Sequence, residues 1–427
     1  MTETVAPDYH EMWAELGLDL PDHDAMLAAV GQMFGDAYLT QNNRPKGIDY
    51  LNFVMSEVHG LRIKELHDFR KAGGKVVGTY CLYVPEEIIR AAGAWNVGLC
   101  AGAEWAYDEV EQILPRNTCA LIKSMMGFKL GKVCPYIEES DLLVGETTCD
   151  GKKKAYEVLG EMHSMHIMEL PQMKRPKDIA FWRSEIVDLM GKVEELTGTK
   201  VTAESLKAAI VEVNDKRRAL QRIAATRAAD PAPISGKDAL LATQVAFYDD
   251  VPRFTASMNV LADELEARVA AGEGVTPKGA RRVLITGTPM ALPNWKLHDI
   301  VEKAGGIVVG EEMCTGSRYY EKLISEDATT LDEMIDDIAA KYLDINCACF
   351  TPNDGRLDDV ARMAEDLGAD GVIDYSLQFC GLYEIESTAV EQTVRDAGHP
   401  VLKITTDYSM EDVGQLSTRV EAFLEML

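Results

Sequence analysis

The chain has 427 residues, 47% hydrophobic and 26% charged, with a formal net charge of -27. That length exceeds what one hydrophobic core usually holds, so two or three domains of ordinary globular composition are expected. The acidic balance argues against nucleic acid or an anionic membrane as partner, because phosphate binding needs clustered Lys and Arg; a small molecule or another protein remains.

Residues 1–7 lack the basic and apolar regions of a secretory signal, and no uninterrupted apolar stretch is long enough to cross a bilayer. A cytoplasmic location is expected. In that reducing compartment the cysteines, nine in number and therefore odd, are expected as metal ligands, catalytic groups or plain buried residues rather than disulfides.

Residues 1–73 read as a polar, helical N-terminal arm, broken around Asn42-Asn43-Arg44-Pro45. From Gly74 short apolar runs alternate with helical patterns, with strands predicted near 75–80, 95–99, 142–145 and 167–170, the rhythm of a doubly wound parallel sheet over 74–174. Residues 175–280 offer no strand. Long helical stretches at 180–196 and 202–229 predict a helical connector, with Thr202 as an N-cap and a break at Asp230-Pro-Ala-Pro-Ile-Ser-Gly236. A second series over 281–427 predicts strands near 282–287, 306–310, 347–350, 371–375 and 401–404; Thr330 and Glu333 form a capping box, and a closing helix covers 412–427.

The two series read as diverged copies of one unit. Asp141-Leu-Leu-Val-Gly-Glu-Thr-Thr-Cys149 and Asp370-Gly-Val-Ile-Asp-Tyr-Ser-Leu-Gln-Phe-Cys380 end alike: a buried parallel strand runs out, and a cysteine stands where a helix begins. Ligands of open α/β sheets bind at the carboxyl ends of strands, and a helix N-terminus there biases a cysteine toward thiolate. The expected fold class is α/β, with two flavodoxin-like domains facing a central cleft that collects the cysteines of both.

Position separates the cysteines. Cys100 fits a small buried hydrophobe. Cys81, Cys149, Cys314 and Cys380 stand at or past predicted strand ends, and Cys119 opens a helix. Cys134 precedes Pro135, a pairing also found in iron–sulfur ligand runs. Cys347 and Cys349 alternate on a predicted strand, so one of them faces the cleft. No Cys-x-x-Cys pair occurs, which weakens a zinc-finger or ferredoxin-type reading.

Other candidate chemistry is thinner. Glu86 and Glu87 follow Pro85, where acidic residues favour a helix start, and Glu86 is kept as a candidate proton donor. Lys152-Lys153-Lys154 opens a helix against its dipole, as an answer to nearby anionic charge, a partner's acidic patch or a solvated face. His163 and His166 read as core or surface residues. Neither Gly-x-x-x-x-Gly-Lys-Ser/Thr nor Gly-x-Gly-x-x-Gly is present, so any ATP dependence belongs to another protein.

The chain resembles the 2-hydroxyacyl-CoA dehydratase and benzoyl-CoA reductase superfamily, and within it the double-cubane cluster protein branch. The resemblance rests on Gly78-Thr-Tyr-Cys81, Leu114-Pro-Arg-Asn-Thr-Cys119, Lys132-Val-Cys134-Pro-Tyr, Gly145-Glu-Thr-Thr-Cys149-Asp-Gly-Lys-Lys, Cys314-Thr-Gly, Cys347-Ala-Cys349, Gln378-Phe-Cys380 and Thr406-Asp-Tyr-Ser. It implies a [4Fe-4S] cubane on Cys119, Cys149 and Cys380, joined by sulfide to a second cubane in an [8Fe-9S] double-cubane cluster with six cysteine ligands. For the second cubane Cys134, Cys314 and Cys349 are chosen by elimination, with Cys81 and Cys347 as substitutes. It further implies an oxygen-sensitive homodimeric reductase of a small molecule, with electrons from a separate ATP-hydrolysing [4Fe-4S] activator protein. The alternatives are a 2-hydroxyacyl-CoA dehydratase subunit with a single [4Fe-4S] cluster and a non-catalytic iron–sulfur electron carrier.

Overall fold

A computed structural model describes residues 8–427 of the protein. Residues 1–7, read above as lacking a secretory signal, lie outside the described residues. The architecture is α/β, with two four-stranded sheets whose strands are all parallel.

The first sheet holds β1 (Val76–Thr79), β2 (Trp95–Gly98), β3 (Leu142–Glu146) and β4 (Met165–Met168) in the order β2-β1-β3-β4. The second holds β5 (Arg282–Gly287), β6 (Ile307–Glu312), β7 (Gly371–Leu377) and β8 (Val401–Thr406) in the order β6-β5-β7-β8. The orders are the same when each series is counted from its own first strand, so the second half repeats the topology of the first. The strand before Cys149 and the strand before Cys380 occupy equivalent places.

The local sequence explains the elements. β3, β5, β6 and β7 are buried along their whole length, as expected where helices cover both faces of a parallel sheet. The edge strands β4 and β8 are partly exposed and carry polar residues. That partial exposure blurs the apolar pattern, and β4 begins two residues before the expected 167.

The run at 347–350 is not a strand. It forms a turn closed by a hydrogen bond from the Phe350 amide to the Cys347 carbonyl at 3.1 Å. A short apolar run bounded by Asn346 and Pro352 suits a buried turn as well as a strand, and here the flanking turn residues decide.

The helices between the sheets are Pro176–Thr197, Ala203–Thr226, Gly236–Val245 and Val251–Ala271. Thr202 caps the second of them with Ser205, and the Thr330–Glu333 capping box opens Leu331–Leu343. Buried ion pairs tie this block to both sheets: Lys216 holds Glu86 at 2.6 Å and Arg217 holds Glu87 at 2.7 Å, while Tyr342 donates to Glu87 at 2.8 Å. Arg227 holds Glu311, at the end of β6, at 2.5 Å.

The halves meet closely beyond β2. The Gly102 amide donates to Leu292 O at 2.9 Å, and a Cβ at Gly102 would clash with Ala291 O. Only a glycine allows that approach of backbone to backbone. Among the described residues no helix is long and apolar enough to cross a membrane.

Candidate metal centre

All nine cysteines are unpaired as disulfides, and the two halves bring seven of them into two sets. Cys119, Cys149 and Cys380 are each the N-cap residue of a helix, Ala120–Leu130, Asp150–Gly160 and Gly381–Asp396 respectively. Their positive ends therefore meet at one place. The Cys119 and Cys380 thiols are near neighbours, and Cys149 feels the charge of Cys119 and acts in turn on Cys380. The Lys152 amide donates to Cys149 Sγ at 3.4 Å.

The second set is Cys81, just past β1, Cys314, just past β6, and the Cys347–Cys349 turn. Cys81 and Cys314 are near neighbours, as are Cys347 and Cys349, and Cys314 feels the charge of Cys347. Tyr383 Oη meets Cys347 Sγ at 3.3 Å, Cys349 Sγ donates to Tyr83 Oη at 3.9 Å, and Arg318 Nη1 donates to Cys314 Sγ at 3.9 Å. Because Cys347 and Cys349 stand on a turn rather than a strand, their sulfurs approach each other instead of facing apart.

Each set draws on both halves. Cys119 and Cys149 belong to the first sheet's connections and Cys380 to the second; Cys314, Cys347 and Cys349 belong to the second and Cys81 to the first. The carboxyl ends of the two sheets thus converge, and neither half holds a complete set.

Cys134 stands apart from both sets, and Cys100 lies between its cavity and the second set. The Ala120–Leu130 helix carries the chain roughly 16 Å from Cys119 at 1.5 Å per residue before Cys134 caps the single turn Pro135–Glu138. Cys134 shares with Cys100 a small cavity lined by His59, Tyr136 and Tyr248. Cys100 donates to Tyr80 O at 2.9 Å. Burial pushes both thiols up to about 12. The place beside Cys314 that elimination gave to Cys134 is held by Cys81.

In the two sets the balance differs. The hydrogen bond with Cys380, followed by the amides of Leu121 and Ile122, outweighs burial and pulls Cys119 down to about 7. The hydrogen bond with Cys349, then Arg318 and the Tyr383 hydroxyl, pulls Cys347 down to about 5. The hydrogen bond with Cys81, then Arg318, lowers Cys314 as well. One thiol of each close pair is thereby shifted toward thiolate, the form that binds metal.

Cations face these sulfurs. Of the three lysines at 152–154, Lys153 and Lys154 pair with Asp150 and Glu157 on the surface, while Lys152 is buried against Glu146. Burial opposes its charge, but Glu146, with Tyr156 and Cys81 behind it, outweighs burial and holds the ammonium well above the ordinary lysine range. Arg318 and Arg356 share Glu312 at 2.5 and 3.2 Å and flank the Tyr383 ring. Sequence reasoning missed Arg318 and Tyr383. The available signal was spacing: Arg318 is four residues past Cys314 and Tyr383 three past Cys380, offsets that can bring side chains together.

Glu86 is not placed to give up a proton. Burial opposes its charge, but Lys216 and Arg217 outweigh burial and pull it down to about 2, and Tyr319 donates to it at 2.6 Å. It is an ionised carboxylate that fastens the connector.

A cavity of about 70 Å³ adjoins the second set, lined by Cys81, Cys314, Cys100, Lys152, Leu121 and Leu292 among others. Among the described residues no three His, Cys, Asp or Glu side chains close on a single metal ion. The donor set is instead thiols in two groups with buried cations around them, and soft thiolates with N–H and O–H donors are what an iron–sulfur cluster takes.

The model for 2-hydroxyglutaryl-CoA dehydratase, D-component, matches residues 81–427. YjiM of Escherichia coli (strain K12), provisionally named a dehydratase subunit, is 42% identical over 84% of this chain and 93% of its own. The beta subunit of (R)-phenyllactyl-CoA dehydratase from Clostridium sporogenes is 25% identical over 84% and 93%. One of the benzoyl-CoA reductase subunits of Thauera aromatica is 22% identical over 72% and 78%.

Proposed function

Since the chain belongs to the 2-hydroxyglutaryl-CoA dehydratase D-component family, we propose that it is a cysteine-ligated iron–sulfur subunit that reduces a small molecule at low potential. The cofactor proposed is an [8Fe-9S] double-cubane cluster, which supplies electrons when bound. A separate ATP-hydrolysing [4Fe-4S] activator protein delivers them, and the protein works in the cytoplasm as a homodimer.

The observation that carries the reading is the second set of thiols. One cubane is accounted for by Cys119, Cys149 and Cys380, and a dehydratase-type single cluster gives no use to a second group facing the same cleft. For the second cubane we propose Cys81, Cys314 and Cys349, with Cys347 beside Cys349. Cys134 has no part in it.

The chain's own residues supply the surroundings. The three N-capping cysteines place helix N-termini against the first set. Arg318, held by Glu312, offers hydrogen bonds to the second, and the Tyr383 hydroxyl stands within hydrogen-bonding distance of Cys347. Lys152 puts a buried ammonium near both sets. The apolar cavity beside Cys81 and Cys314 gives a small uncharged molecule room to approach while excluding bulk water.

Iron and acid-labile sulfide counting on anaerobically purified protein tests the reading. About eight irons and nine sulfides per chain are expected. About four of each would sink the double-cubane assignment and favour a dehydratase subunit with a single [4Fe-4S] cluster. A colourless protein would overturn both.

A further inference from the structure

The buried ion pairs of the connector leave one cation over. Glu86 is matched by Lys216 and Glu87 by Arg217. Lys341, in the last turn of Leu331–Leu343, is only 7% exposed and has neither an ion pair nor a hydrogen bond for its ammonium among the described residues. Its Nζ rests 4.1 Å from the centroid of the Tyr342 ring. An ammonium beside Arg217 with no carboxylate partner is disfavoured, and burial together with Arg217 pulls Lys341 well below the ordinary lysine range.

Lys341 lines a cavity of about 410 Å³ that also takes in Lys174, Lys322, Asp337 and Asp344. Lys322 is spent on Asp344 at 2.5 Å. Lys174 donates to Ile345 O at 3.0 Å and Asn346 Oδ1 at 2.6 Å but has no carboxylate partner, and Asp337 forms no ion pair among the described residues. The lining holds three lysines against two aspartates, and a bound anion would favour the charged forms of Lys341 and Lys174 that burial disfavours. The walls come from residues just past the first sheet and from the second half, so the cavity lies at a seam of the fold. It is separate from the cavity beside Cys81 and Cys314.

We propose that this cavity binds the anionic group of a small molecule, a carboxylate or a phosphate, with Lys341 and Lys174 as its cationic contacts. The site lies behind the Cys347–Cys349 turn: the Lys174 amine sits 4.6 Å from the centroid of the Phe350 ring, and its carbonyl and amide partners, Ile345 and Asn346, lead directly into Cys347. The charge argument uses no metal, so it stands or falls independently of the cluster.

Calorimetric titration of the full-length, anaerobically purified protein with inorganic phosphate, and separately with acetate, tests the proposal at constant ionic strength set by chloride. Saturable binding of at least one anion is expected, weakened at least tenfold in Lys341→Met and in Lys174→Met and unchanged in Lys154→Met, a surface control. Binding of phosphate alone supports a phosphoryl group, binding of acetate alone a carboxylate, and binding of both a general anion site. No saturable binding of either anion, or wild-type binding by the lysine variants, overturns the proposal. Lys174 is only half-buried, so Lys174→Met carries the test should Lys341→Met fail to fold.

Discussion

The backbone amide of Lys152 donates to Cys149 Sγ at 3.4 Å, while the side chain of the same residue is buried against Glu146. One residue thereby ties the first set of thiols to a buried ion pair whose charge reaches Cys81 in the second.

Lys152→Met removes the ammonium and leaves the Glu146 carboxylate buried without its partner. A loss of about 3–5 kcal/mol of stability is expected, seen as a lower urea midpoint. The double variant Lys152→Met/Glu146→Gln should recover much of the loss, because no unpaired charge remains. A single variant as stable as the wild type would show that the pair has little structural weight.

Ligand assignment is read from iron content. Cys81→Ala and Cys314→Ala are expected to lower the iron count by roughly half, to about four per chain. Cys134→Ala should keep the full count, since that thiol is buried away from the two sets, and so should Cys100→Ala, since the Cys100 thiol is spent on Tyr80 O. Loss of iron in Cys134→Ala with full retention in Cys81→Ala would return the second set to the assignment made by elimination.

The seam between the halves leaves no room at Gly102. A methyl group there meets Ala291 O, so Gly102→Ala should cost about 1–3 kcal/mol through overpacking. Gly191→Ala, with nothing near the added carbon, should be neutral or slightly stabilising on the same denaturation assay.

Acid sensitivity is expected from the arm. His23 Nε2 meets His59 Nδ1 at 2.9 Å in a buried pair. Burial lowers His23 to about 4 and takes His59 well below the ordinary range. Below about pH 6.5 the unfolded chain binds protons that the folded chain refuses. Stability is therefore full above that pH and falls as pH drops toward 4. His23→Phe should flatten the fall by on the order of 2–3 kcal/mol, measured as urea midpoints from pH 4.5 to 7.5.

The sheets were legible because buried parallel strands are continuous apolar runs, and the repeat was legible because both series place their strands in the same order. Cys119, Cys149 and Cys380 were legible for a local reason: each stands where a helix starts. The contact of Cys81 with Cys314 has no local signature, since the two stand far apart in sequence at the ends of strands in different sheets. Cys134 shows the reverse case. Its Cys-Pro pair is a local pattern that says nothing about where the preceding helix delivers it. The Cys347–Cys349 pair was misplaced because a four-residue apolar run does not distinguish a strand from a buried turn.

Dividing each thiol set between the halves has a consequence for synthesis. Cys149 leaves the ribosome long before Cys380, an interval on the order of 10–50 s at roughly 5–20 residues per second. Until then the nascent chain displays Cys119 and Cys149 without their third companion, and Cys81 waits likewise for Cys314 and the turn that follows. Neither thiol set is complete before most of the polypeptide has been made, so the proposed cluster would have to be loaded late in translation or after it. A prematurely terminated product would carry open thiols and no finished site, and would stand out to the cell by its reactivity rather than by its shape.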